Sequence, residues 1–114
     1  MLQTLLKRAA PAVLAPCAVV SLAAAAPAPQ TAQVTIGNFT FGPAVLTVSP
    51  GATVTWLNGD DIPHTVVAAD KRAFRSKVLD SGYSFAFTFT RPGSYAYFCS
   101  IHPHMTGKIV VKSR

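Results

Sequence analysis

An all-β sandwich of about eight short strands is the fold the sequence predicts, on three observations. Apolar and polar residues alternate through run after run, as in Gln33-Val34-Thr35-Ile36 and from Tyr83 to Thr90. Turn-forming residues interrupt these runs at short intervals, at Gly37-Asn38, Gly42-Pro43, Ser49-Pro50-Gly51, Asn58-Gly59 and Arg91-Pro92-Gly93. Past residue 33, only the charged stretch 70–80 lacks strand periodicity.

The 114 residues have room for one domain, and the first quarter has the pattern of a leader rather than a strand. Lys7 and Arg8 stand in an acid-free start, and an apolar run rich in Ala and Val follows from Ala9 to Ala26. This is a secretory signal peptide pattern over 1–26, with small residues at Ala23-Ala24-Ala25 for cleavage, and it predicts a periplasmic protein. A membrane anchor is the competing reading, but the run barely reaches bilayer width and contains Pro11 and Pro16. Lipidation at Cys17 is another, weakened by Pro16 where a small residue is wanted. Residues 27–32, PAPQTA, have no periodicity, so a flexible tether is expected before a domain over 33–114.

Within the domain, Gln33–Ile36 is a half-buried strand and Gly37-Asn38 turns the chain. Phe39 and Phe41 flank Thr40, and Gly42-Pro43 precedes a strand over Ala44–Val48. Ala52–Leu57 puts Val54 and Trp56 on one face. The run His64-Thr65-Val66-Val67 is β-branched and reads as a strand, with Pro63 restricting the backbone before it. Residues 70–80, DKRAFRSKVLD, are expected to cross between sheets with a helical turn, pinned by Phe74 and Leu79. Tyr83, Phe85, Phe87 and Phe89 form a period-two aromatic stripe, which is core rather than a cofactor box. Tyr95, Tyr97 and Cys99 share one face, and Lys108–Lys112 closes the sheet.

Chemistry concentrates at the end of the chain, in YAYFCSIHPHMTGK from Tyr95 to Lys108. Cys99, His102 and Met105 stand there in C-x-x-H-x-x-M order. With Cys17 in the leader, Cys99 is the only thiol of the mature domain and Met105 its only thioether. A lone thiol in an oxidising compartment has no partner for a disulfide within the chain, and metal ligation gives it both protection and a task. Two imidazoles, one thiolate and a weak axial thioether are the donor set of a blue copper site. The loop supplies one imidazole, and His64, upstream in DDIPHTVV, is the candidate for the other. Structural zinc usually takes four Cys or His ligands, and this set has three plus a thioether.

The segments VTWLN, DDIPHTVV and YAYFCSIHPHM together resemble the cupredoxins, over roughly Gln33 to Lys112. The two-residue gaps on both sides of His102 are similar to those of the amicyanin group, the short-loop members beside plastocyanin and pseudoazurin. Ile101 and His104 depart from that group's Pro and aromatic residue. The resemblance implies a Greek-key sandwich and one copper ion held by His64, Cys99 and His102 with Met105 axial. It implies that Asn58 ties the loop of the first histidine to the cysteine loop, although Asn58-Gly59 is also an ordinary turn pair. His102 would expose one ring edge among Ile101 and Pro103 as the electron's exit. The partners implied are a redox donor and acceptor, an amine dehydrogenase or a c-type cytochrome among them.

The function expected is a monomeric one-electron carrier cycling Cu(II) and Cu(I), and not an enzyme. Copper trafficking or storage through the same site is the alternative; such binders favour Met-rich or His-rich exposed sites, whereas this domain has one Met and three His. A thiol nucleophile with a histidine base is disfavoured, because such pairs meet across a cleft rather than along a tight loop. Without Lys7 and Arg8 the formal charge falls from +6 to about +4, and no basic helix points to nucleic acid. Lys71, Arg72, Arg75 and Lys77 read either as a solvated loop or as a docking face.

Overall fold

Each alternating run becomes a strand with one dry and one wet face. The computed structural model describes residues 30–114, so the expected leader, Cys17 and the first part of the expected tether lie outside the described residues. Eight strands follow in order: β1 (Thr31–Gly37), β2 (Thr40–Gly42), β3 (Val45–Val48), β4 (Ala52–Asn58), β5 (Val67–Ala68), β6 (Ser84–Phe89), β7 (Gly93–Phe98) and β8 (Thr106–Val111). They form two four-stranded sheets, ordered β2-β1-β4-β6 and β3-β8-β7-β5. The pairs β1 with β4 and β3 with β8 are parallel and the others antiparallel, as expected when strands cross between packed sheets.

Strand β4 shows how the pattern sets the core. Ala52, Val54, Trp56 and Asn58 are buried on one face while Thr53, Thr55 and Leu57 turn away. Trp56 is fully buried, with ring centroids 5.4 to 5.7 Å from Phe74, Phe85 and Tyr97. Phe74 and Leu79 do pin the crossover, at 4% and 5% exposed. Replacing Trp56 with alanine is expected to cost about 3–5 kcal/mol in urea unfolding, the price of emptying a large aromatic site.

Four local expectations change. The tether ends sooner than residue 32, because Thr31 and Ala32 already pair with Thr53 and Val54 and extend the β1 ladder. No helical turn forms in the crossover: the Asp70 carboxylate accepts the N–H groups of Arg72 and Ala73, and Lys71 adopts φ 61°. Of the run His64–Val67 only Val67 enters a strand, β5: His64 bridges instead to Leu79 of the crossover, and Val67 bridges to Arg75 as well as pairing with Phe98. The aromatic stripe is graded, with Phe89 at 1% exposed, Phe85 and Phe87 half-buried, and Tyr83 at 61%. Tyr83 precedes β6 at the rim, on the outer strand of its sheet, where no layer covers it.

Candidate metal centre

Three elements converge at one end of the sandwich. His64 follows the turn after β4, Cys99 follows β7, and His102 sits in the loop leading to β8. Cys99 Sγ lies 3.8 Å from His64 Nδ1 and 3.7 Å from His102 Nδ1. All three ligand atoms fall within 4.8 Å of one another. An ion bound in a trigonal plane at ordinary metal–nitrogen and metal–sulfur lengths separates sulfur from nitrogen by about 3.7 Å, so the donors are spaced for one metal. Met105, 5% exposed, is buried beside Cys99 in the same core cluster. The loop closes on itself: Met105 N–H donates to His102 O at 2.8 Å and Cys99 N–H to Met105 O at 3.1 Å. This arrangement of His64, Cys99, His102 and Met105 is that of a type 1 copper site.

A carboxylate stands behind the buried histidine. Asp60 Oδ2 is 2.7 Å from His64 Nε2. In the neutral imidazole this places the proton on Nε2 and turns the Nδ1 lone pair toward Cys99, the tautomer a metal requires. Asp60 is fixed in turn by the N–H groups of Phe39 at 3.0 Å and Asn38 at 2.6 Å. Those two donors hold its carboxyl below the usual range, with His64 adding to the effect. A depressed carboxyl contributes stability above the ordinary carboxylate pKa, and that contribution is lost as the pH falls through the lowered value. Asp60→Ala is expected to weaken Cu(I) binding by about tenfold to a hundredfold in a chelator competition titration, with Asp60→Asn intermediate.

Asn58 does not tie the two ligand loops. Its Nδ2 donates to Ile62 O and Leu79 O, and its Oδ1 accepts from Asp60 N–H, so it braces the His64 loop against the crossover. Thr65 spans the loops instead. Its N–H points at Cys99 Sγ at 3.4 Å, and its hydroxyl accepts from Ser100 N–H at 2.7 Å. Burial pushes the Cys99 thiol up, but the Thr65 N–H, the two imidazoles and the His102 N–H together outweigh it, bringing the thiol down to about 6. Thiolate absorbance in the metal-free protein should therefore develop around pH 6 rather than 9. Because this acid's pKa is depressed on folding, stability of the metal-free protein should rise from pH 6 to 9 and fall back as the thiol is reprotonated.

The sequence profile of the family described as a cupredoxin-like domain matches residues 10–111. The chain belongs to the cupredoxin family. Amicyanin of Paracoccus denitrificans is 36% identical over 94 residues, covering 79% of this chain and 72% of that protein. Amicyanin of Paracoccus versutus is 39% identical over 71 residues, covering 59% of this chain but only 54% of that protein. Among solved structures, P. versutus amicyanin superposes with a TM-score of 0.66 at 36% identity over 76% of this chain and 85% of that one. A purple cupredoxin from Nitrosopumilus maritimus superposes at 0.68 and 33% identity, over 71% and 99%. A copper-containing nitrite reductase from Thermus scotoductus superposes at 0.70 and 34% identity, but this chain covers 25% of that chain.

In this cupredoxin the two imidazoles differ in exposure: His64 is fully buried and His102 half-buried. Ile101, 46% exposed, and Pro103 flank His102 as the resemblance implied. Phe39 joins them, a residue the sequence placed only beside a strand. It sits 52% exposed at φ 58°, edge-on to the His102 ring at 5.0 Å and the His64 ring at 5.8 Å. The left-handed backbone of Asn38 and Phe39 is what delivers their N–H groups to Asp60. His104 is exposed and stands outside the donor cluster.

Proposed function

We propose that this protein is a periplasmic, monomeric electron carrier in which His64, Cys99 and His102 hold one copper ion with Met105 as the axial donor. Bound there, copper supplies a one-electron couple between Cu(II) and Cu(I). The observation that carries the reading is the trio of ligand atoms set 3.7 and 3.8 Å around one buried sulfur. The protein's part is to keep that spacing unchanged as charge moves. Cys99 and His64 are held by strand ends, Thr65 and Asp60, which limits how far the donors shift and keeps water from the sulfur. His102, with Phe39, Ile101 and Pro103 around it, gives a partner close approach through an apolar surface. The partners are redox proteins, one donor and one acceptor, an amine dehydrogenase or a c-type cytochrome being suited to the roles; the chain has no turnover of its own. The amicyanin relatives and the leader pattern support export to the periplasm.

Voltammetry of the copper-loaded protein tests this reading, with a reversible one-electron wave as the expected result. Met105→Gln should shift that wave to lower potential, because an oxygen donor favours Cu(II) over Cu(I) more than a thioether does. An irreversible wave accompanied by copper release would count against the carrier.

A further inference from the structure

Phe39 stands where its residue type is costly. At φ 58°, next to Asn38 at 52°, its backbone lies in the left-handed region, which strains a residue that has a β-carbon and suits glycine. Glycine would deliver the same N–H group to Asp60 without strain, so the backbone alone does not account for the ring. Nor does the core, because the ring is 52% exposed. Its aromatic neighbours among the described residues are His64 at 5.8 Å and His102 at 5.0 Å, both met edge to face. A strained aromatic kept against two metal-ligating imidazoles points to a task at the site.

The burial of the donors indicates the task. His64 and Cys99 are fully buried and Met105 is 5% exposed, so the half-buried His102 is where the centre meets solvent. An ion entering or leaving passes that imidazole, and Phe39 lies against it. The turn that carries Phe39 is fastened from within. The Asp60 carboxylate accepts the N–H groups of Asn38 at 2.6 Å and Phe39 at 3.0 Å while its Oδ2 holds His64 Nε2, and the Thr40 hydroxyl donates to Asn38 O at 3.1 Å.

We propose that the 38–39 turn between β1 and β2 is a latch on the metal centre, in which Phe39 sets how fast the ion is exchanged rather than how tightly it is held. A ring that covers the donors whether or not an ion is present raises the barrier in both directions, so uptake and release slow together. The latch rests on the ligand assignment and not on the carrier reading.

The test compares the protein with Phe39→Gly, which removes the ring and suits the backbone of the turn. Release is followed as transfer of Cu(I) to excess bicinchoninate, and uptake as growth of the visible band after mixing with Cu(II). Access without metal is followed as alkylation of Cys99 by iodoacetamide at one fixed pH. All three should quicken by about tenfold, with the dissociation constant moving by less than about threefold. The metal-free variant should melt no lower than the parent, since backbone strain is relieved. Phe39→Leu, apolar but without a ring, should fall between the two in rate. Unchanged rates would overturn the proposal. So would faster release with unchanged uptake, which would mean that the ring holds the donors in place, and so would faster alkylation with a lower melting temperature, which would mean a general loosening. A parent that takes up copper without the visible band would refute the ligand assignment, whereas a coloured parent whose variant exchanges no faster would refute the latch alone.

Discussion

Cys99→Ser is expected to abolish the intense visible absorption of the Cu(II)-loaded protein while leaving the sandwich folded. The colour of such a site comes from charge transfer between thiolate sulfur and copper, so exchanging sulfur for a harder hydroxyl oxygen removes its source. Cys99 is fully buried, and serine is close to it in volume, so the substitution tests chemistry rather than packing. The Thr65 N–H that now points at sulfur remains available to the serine oxygen, which keeps the polar group from being stranded. Far-UV circular dichroism should be unchanged. Persistence of the band in the variant would mean that another donor set holds the metal.

Gly107→Ala is expected to be the most damaging single-methyl addition to the domain. Gly107 in β8 faces Tyr97 in β7 across the ladder, and the Tyr97 ring folds over it. A β-carbon there would collide with Cζ and Oη of that ring and lie 2.9 Å from Cε2. Tyr97 cannot retreat: it is 1% exposed, wedged against Phe41 and Trp56 at ring distances of 4.8 and 5.4 Å. Overpacking of this kind should cost about 3 kcal/mol, lowering the melting temperature by roughly 10–20 °C in a domain of this size. Tyr97→Leu should relieve part of the loss, so that the double variant is less destabilised than the two single costs combined. Full additivity would show that the collision is not the cause.

The ligand set was legible because three of its four members lie within seven residues, where spacing alone fixes their order. His64 could be found because the loop lacked an imidazole and few histidines remained. The groups that hold those ligands in place were hidden for the opposite reason. Asp60 works by joining His64 to the backbone of Asn38 and Phe39, more than twenty residues upstream, through N–H groups that face it only because both residues turn left-handed. Thr65 looked like one more β-branched strand residue, and its bonds to Cys99 and Ser100 span 34 and 35 positions. Asn58 drew attention for its place after a strand, but side-chain amides go to whatever carbonyl the fold presents, here Ile62 and Leu79. Tyr83 shows the limit of periodicity: alternation tells which face a side chain takes, not whether a second layer extends far enough to cover it.

The same division runs through the fold. Strands with clean alternation, such as β4 and β7, fell where the pattern placed them, because a one-residue slip would expose Trp56 or Tyr97. Boundaries governed by pairing moved instead. Thr31 and Ala32 have little propensity signal of their own and are strand residues because Thr53 and Val54 are beside them.

Electron paramagnetic resonance of the protein loaded with one equivalent of Cu(II) reads the bond between copper and the Cys99 sulfur. A single copper species is expected whose parallel hyperfine splitting is strongly compressed, the mark of an unpaired electron shared with the Cys99 sulfur in a site fixed by His64 and His102. A wide splitting typical of tetragonal nitrogen and oxygen ligation would contradict it, whatever the fold of the chain.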